Sequence, residues 1–416
     1  MHQVFVELYN YRPQWRELDD ERRRAFVFGL SNALADLQRQ GVEIIGYGAN
    51  DPDTDRRAPY DFFSVYRVPD AATRRGFEAG IAASGWYDYF EQVNIGGAAL
   101  SPLGALLNNV ALLPPAPQGP PIPAVSPFTK RRVDVLGRTM AYVDEGTGVP
   151  VVFVHGDVMS SFLWRNVIPH LDGGRTRSLA VDLIGAGDSD KLPDSGPGSY
   201  SFATHARHFD AWMEALDLGD GVVLVGHDWG ANVAFDWAMR NEGRVRGLAF
   251  SEAITPPFDW EDWPEGMRPQ FAYLRTAEGE KDVLENNFFV HAAPQTITRM
   301  LAPAELAEIV RPYARPGEDR RPTSDWPREV PFGDDRGETR TALESQAAWL
   351  ARTPVPKLHL PGVPGGIARL GGRKRELIGT WPNLTEAPVP GLHWTPEDAP
   401  HAMGAALAEW LRALTD

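Results

Sequence analysis

The stretch Gly226-His227-Asp228-Trp229-Gly230-Ala231-Asn232-Val233-Ala234-Phe235, GHDWGANVAF, follows the apolar run Val222–Val225 and opens a helix-like pattern. It has the outline of a nucleophile elbow, a tight strand-to-helix turn that exposes one reactive side chain between two glycines. The reactive position is Asp228, where most such turns carry Ser. A carboxylate is a poor acyl nucleophile, but it can displace a leaving group from saturated carbon and form an alkyl ester of the enzyme. Water activated by a His then attacks the ester carbonyl and frees an alcohol. Asp228 therefore predicts a substrate with a carbon–halogen bond or a strained epoxide. Asp also caps helix N-termini well, so the pentapeptide alone leaves a structural role open.

The chain around the elbow alternates apolar strands with helical patterns. VPVVFVHG (149–156), RSLAVDLIG (177–185), GVVLVGHD (221–228) and VRGLAFSE (245–252) are continuous apolar runs. Such runs predict a parallel sheet covered on both faces. RRVDVLGRTMAYVDEG before them reads as a hairpin. A Trp- and Pro-rich helical segment, 257–352, interrupts the series. VPKLHLPG (355–362) and LTEAPVPGLHW (384–394) resume it. The order fits an α/β-hydrolase core, 127–256 and 353–416, with a helical lid at 257–352.

The elbow has companions in chain order. His393, in GLHW after the last predicted strand, stands where such a core carries its base. Glu252 closes the strand before the lid, where an acid can orient His393 and stabilise its imidazolium. Backbone N–H groups after His155-Gly156, with that of Trp229, can form an oxyanion hole. Asp188 and Asp190 in GAGDSDK have the look of a metal pair, but the stretch fits a loop, and no metal or other cofactor is expected.

From about residue 127 to 414 the chain resembles the haloalkane dehalogenases. The resemblance rests on VVFVHG, SSFLWRNVIPHL, VDLIGAGDSDK, LVGHDWG, VRGLAFSEAI, DWEDWPE, RTAEGE, DWPREVP, TPVPKL and GLHW. It implies Asp228 as nucleophile, His393 as base, Glu252 as orienting acid and Trp229 as an indole donor to the departing halide. One position departs. The family has Asn after the HG pair, and its amide is the second halide donor; here that residue is Asp157. An ionised carboxylate cannot donate and repels a halide. Burial beside Asp228 would raise its pKa and let it donate as an acid. The same proton could serve an oxygen leaving group, which keeps epoxide hydrolysis open as an alternative. Val158 and Met159 also depart from the family pattern. A third reading is an inactive ligand-binding protein on the same fold, against which the complete Asp228, His393, Glu252 set argues. Tyr273, His291 and Tyr313 in the lid are candidates for the pocket, because related epoxide hydrolases protonate the opening oxygen with lid tyrosines. Trp260, Trp263, Trp326 and Trp349 are expected to build the lid core.

Residues 1–100 read differently. Strands at 3–9, 42–48, 60–68 and near 86–95, with helices at 19–40 and 70–83, give a βαββαβ order. This is the order of a small α+β ferredoxin-like domain, and it resembles dimeric α+β-barrel proteins. It suggests a homodimer through this domain. His2 and the acidic turn 50–55 form no metal constellation. A linker, 101–126, containing the proline-rich PPAPQGPPIPAVS, separates the two parts.

The bulk numbers bound the rest. At 416 residues, two domains are expected. Lys and Arg total 41 against 56 Asp and Glu, a net charge of −15, which disfavours nucleic acid as a partner. Cysteine is absent, which removes disulfides, thiolate metal sites and Cys nucleophiles. The run 96–113 is broken by Ser101, Pro102, Asn108 and Asn109, so no membrane span is expected. A cytoplasmic enzyme acting on a small molecule is the expectation.

Overall fold

In the computed structural model, residues 2–102, 104–106, 122–257, 259–260, 263, 267–332, 337–369 and 371–415 are described. Most of the expected linker, residues 103 and 107–121, lies outside them. The chain forms two compact units, one built on residues 1–100 and the other on residues 123–416.

Among its described residues the first unit holds four strands: β1 (Gln3–Tyr11), β2 (Glu43–Ala49), β3 (Phe62–Val68) and β4 (Phe90–Ala98). They form an antiparallel sheet in the order β2-β3-β1-β4. With helices between β1 and β2 and between β3 and β4, this is the split βαβ arrangement of a ferredoxin-like unit. Alternation along β1 buries Gln3, Phe5 and Glu7 and leaves Val4, Val6 and Leu8 partly exposed. Phe5, Val42, Tyr66, Val68 and Phe77 make its core. The helix expected over 19–40 is two, Asp20–Gly29 and Ser31–Arg39. They part at Gly29, a weak helix former. The helix expected at 70–83 is Ala71–Ala83, capped by Asp70, which accepts from the Thr73 N–H.

The second unit is built on β5 (Lys130–Val135), β6 (Arg138–Gly146), β7 (Val149–Val154), β8 (Thr176–Val181), β9 (Val222–His227), β10 (Val245–Ser251), β11 (Lys357–His359), β12 (Gly362–Pro364), β13 (Leu384–Glu386) and β14 (Val389–Gly391). Eight of them form one sheet, ordered β13-β11-β10-β9-β7-β8-β6-β5, in which β6 alone runs against its neighbours. All six residues of β9 are buried, as a central strand covered on both faces requires. The two-residue turn between β5 and β6 places Leu136 and Gly137 at positive φ, as a tight hairpin demands.

The last two expected strands are each cut in two. Pro361 and Pro388 lack the N–H that a ladder needs, so β11 and β13 stay in the main sheet. Beyond the breaks β12 and β14 leave it and pair with each other. This parallel pair leads directly into Gly391–Trp394. Among the described residues between β10 and β11 the chain makes six α-helices: Arg268–Leu274, Ala277–Asn286, Phe288–Ala292, Pro303–Val310, Arg321–Glu329 and Glu338–Leu350. A buried charge cluster fixes this segment to the core. The Arg165 guanidinium bridges Glu305 and Glu397, each at 2.5 Å, and Arg299 bonds the same two carboxylates. Two cations and two anions alternate there, so each buried charge has a partner. No helix among the described residues is long and apolar enough to cross a membrane.

Candidate active site

Asp228 sits between β9 and the helix Trp229–Arg240 with φ +53° and ψ −131°, a strained backbone for a residue with a Cβ. Its neighbours explain how the turn closes. A Cβ on Gly226 would lie 2.3 Å from the Ala231 Cα, and one on Gly230 would lie 2.2 Å from the Val154 carbonyl oxygen. The helix can start against β7 only if both positions are glycine. Asp228 is 5% exposed, and its carboxylate rests on Gly156, where a Cβ would meet Oδ2 at 2.3 Å. The Asp157 N–H donates to that oxygen at 3.1 Å, and the Trp229 N–H also bonds the carboxylate. Both backbone N–H groups thus point at the Asp228 carboxylate. Burial pushes the Asp228 pKa up, against the opposing effects of the His393 charge and the two N–H donors.

His393 faces the same carboxylate, with Nε2 3.9 Å from Asp228 Oδ1, longer than a hydrogen bond. Its Nδ1 lies 3.4 Å from Glu252 Oε2. Burial by itself lowers the imidazole pKa; the Glu252 hydrogen bond and the Asp228 charge outweigh it and hold His393 above its ordinary value. Glu252 is fully buried at positive φ, just past β10. The Gly366 N–H donates to its Oε1 at 3.3 Å, and the Ile367 N–H donates to Oε2. Both donors follow β12, so the strand split by Pro361 supplies the cradle for the acid.

Residues that sequence reading missed hold the His393 loop. The His227 Nε2–H donates to the His393 carbonyl oxygen at 2.7 Å. Asp398 accepts from the Leu392 N–H at 2.8 Å and from the Thr298 N–H at 2.7 Å, which ties the loop to the lid segment. A Cβ on Gly391 would strike the Asp398 side chain. His155 is structural: the Leu183 N–H donates to its Nε2 at 2.9 Å, which leaves Nδ1–H to donate to the Gly156 carbonyl. Burial lowers its pKa to about 4.

Asp157 points into this site. It is buried, and its Oδ1 accepts the Val158 N–H at 2.6 Å. Burial and the Asp228 charge drive its pKa well above the carboxylate range. A cavity of about 60 Å³ stands over Asp157, Asp228, Trp229 and His393. Its apolar walls include Ile254, Trp263, Phe271, Phe289 and Val330. Trp229 stacks on Trp326 at 4.9 Å.

The three lid candidates are placed elsewhere. None of Tyr273, His291 and Tyr313 is among the described residues lining the cavity. The Tyr273 hydroxyl donates to Asp282 at 3.3 Å, His291 is exposed, and Tyr313 is buried under the Lys191 ammonium. Of the four lid tryptophans, Trp263 lines the cavity rather than only building the lid. Asp188 accepts from Lys130 and pairs with Arg311, while Asp190 accepts the Thr139 N–H. No group of three or more His, Cys, Asp or Glu among the described residues is placed to hold a metal ion.

The α/β-hydrolase fold family matches residues 149–301, and a family of unknown function (DUF6616) matches residues 2–112. A haloalkane dehalogenase of Sphingobium indicum is 47% identical over 290 residues, 69% of this chain and 97% of that one. A haloalkane dehalogenase of Mycolicibacterium smegmatis is 41% identical over 297 residues, 70% of this chain and 94% of that one. The crystal structure of a haloalkane dehalogenase from Bradyrhizobium elkani superposes with a TM-score of 0.65 at 36% identity, covering 69% of this chain and 99% of that one. The chain belongs to the haloalkane dehalogenase family, on an α/β-hydrolase fold.

Proposed function

We propose that the protein hydrolyses a small alkyl halide to alcohol, halide and a proton, with Asp228 as nucleophile. The carrying observation is that Asp228 and His393 line an apolar cavity, with Glu252 behind His393 at its Nδ1. The Asp228 carboxylate attacks the carbon bearing the halogen. The C–O bond forms, the C–X bond breaks, and X⁻ leaves toward the Trp229 indole N–H. Water then adds to the ester carbonyl while His393 Nε2 takes its proton. The oxyanion collects the N–H groups of Asp157 and Trp229. Collapse releases the alcohol and restores the carboxylate, and Glu252 stabilises the transient imidazolium. A protonated Asp157 supplies the second halide donor.

The epoxide reading loses its lid tyrosines, because neither lines the cavity, and is left with Asp157 alone to protonate an opening oxygen. We assign the core to 127–256 and 353–416 and the lid to 257–352. Bromide release from a bromoalkane panel tests the proposal. The full chain should turn over at least one member, and Asp228→Ala should release none above the uncatalysed rate. Release by Asp228→Ala equal to wild type would sink the assignment.

We also propose a homodimer through the first unit. The outer face of its sheet carries Val6, Leu8, Val65, Val93 and Ile95, with Val93 and Ile95 exposed by 42% and 60%. A contiguous apolar sheet face of this kind is unusual on a monomer. Light scattering of the full chain should give twice the chain mass, and Ile95→Lys should shift it toward one. A wild-type monomer at high concentration would refute the dimer.

A further inference from the structure

The first unit holds a cleft of its own. About 570 Å³ lies between the inner sheet face and the helices Ser31–Arg39 and Ala71–Ala83, well within the range of small-molecule sites. Its walls are apolar and aromatic, including Trp15, Leu34, Phe77, Ile81, Trp86 and Phe90. At one end stands a carboxylate. Glu7 occupies an inward position of β1, where alternation calls for an apolar residue, and is only 6% exposed. Its Oε2 accepts from the Ser64 hydroxyl at 2.6 Å and the Tyr66 hydroxyl at 2.8 Å; its Oε1 accepts from Gln92 at 3.0 Å. No ion pair to Glu7 is formed among the described residues.

The direction of the hydrogen bonds fixes what the cleft presents. Tyr66 has one proton and gives it to Glu7, so its 2.8 Å contact with Tyr47 is a bond donated by the Tyr47 hydroxyl. Both phenolic protons are then spent inward. The polar end offers lone pairs, on Tyr47 Oη and on Glu7 Oε1, to whatever enters. A donor on the occupant would meet these lone pairs, and the aromatic walls favour a flat ring system.

The helix opposite supports the same reading. Gly76 and Gly80 both line the cleft one turn apart, and a Cβ added to either meets nothing within 4 Å. Glycine weakens a helix interior, so packing gives no reason for two of them on this face. Their effect is to keep volume open.

We infer that the N-terminal unit binds a small aromatic compound carrying a hydroxyl group, with the ring against Trp86 and Phe90 and the hydroxyl donating into the Tyr47–Tyr66–Glu7 chain. This site shares no residue with the Asp228 cavity.

The test is binding of 2-naphthol to the full chain, followed by its fluorescence and by calorimetry. 2-Methoxynaphthalene has the same ring system without the donor. 2-Naphthol should bind with a micromolar Kd, and the methoxy compound at least tenfold more weakly. Tyr47→Phe, at a half-exposed residue, should weaken 2-naphthol by about tenfold and leave the methoxy compound unchanged. Gly80→Leu should abolish binding of both while the melting temperature stays at or above wild type, because Leu is the better helix former. Equal affinity for the two compounds, binding that survives Gly80→Leu, or no binding of 2-naphthol at all would overturn the inference.

Discussion

A His393→Phe variant given a reactive bromoalkane should release one bromide per chain and then stop. Intact mass should rise by the alkyl group, and peptide mapping should put it on Asp228. Displacement needs only the carboxylate and the cavity, so the first half-reaction survives. Hydrolysis needs a base at the position His393 Nε2 occupies, 3.9 Å from the nucleophile. Loss of general-base catalysis lowers turnover by roughly 10²–10⁴-fold, and the ester accumulates because its formation is not slowed to match. Phe keeps the ring volume in a loop that β14, His227 and Asp398 hold in place. Continued turnover at the wild-type rate would remove His393 from the mechanism. Bromide release without an adduct would remove Asp228.

Why the elbow could be read from sequence, and the pocket walls could not, is a matter of constraint. Gly226 and Gly230 each face backbone atoms closer than any Cβ tolerates, so the motif is dictated residue by residue. His393 and Glu252 are positioned by strand ends, and chain order carries that information. The lid is different. Phe271 lines the cavity and Tyr273, two residues on in the same short helix, turns about 200° away toward Asp282. Likeness to epoxide hydrolases singled out the tyrosines for their hydroxyls, but helix phase decided which side chains face inward. Phe289 and Val330 read as ordinary core residues because in sequence they look like nothing else. The breaks at Pro361 and Pro388 turned two expected strands into four and created the N–H cradle of Glu252. The N-terminal cleft escaped notice because a single Glu within an alternating strand has no motif.

The Asp157→Asn variant should gain activity on the high-pH limb of the wild-type profile, and the sign follows from the site. Asp157 and Asp228 share one apolar pocket, and burial with the neighbouring charge raises Asp157 well above the carboxylate range. Protonated Asp157 can donate to a departing halide; ionised Asp157 cannot donate and repels it. Activity should therefore fall as pH rises through the raised pKa. His393 must be neutral to accept a proton from water, and its own pKa is raised, so activity also falls on the acid side. The wild-type pH profile of kcat/KM should be a narrow bell. Asn donates at every pH, so the variant should keep the acid limb and lose the alkaline one. Above that limb it should exceed wild type by about 10²-fold, the usual effect of one hydrogen-bond donor at a developing charge. Stability should follow the same proton. A carboxyl whose folded pKa is raised favours the fold below its unfolded pKa and loses that contribution as pH climbs through the folded one. The wild-type melting temperature should accordingly decline as pH climbs from the ordinary carboxylate pKa to the raised one, a decline that Asp157→Asn lacks. Superimposable pH profiles would mean that the Asp157 carboxyl plays no part in halide departure. Only its backbone N–H, 3.1 Å from Asp228, would then remain at work.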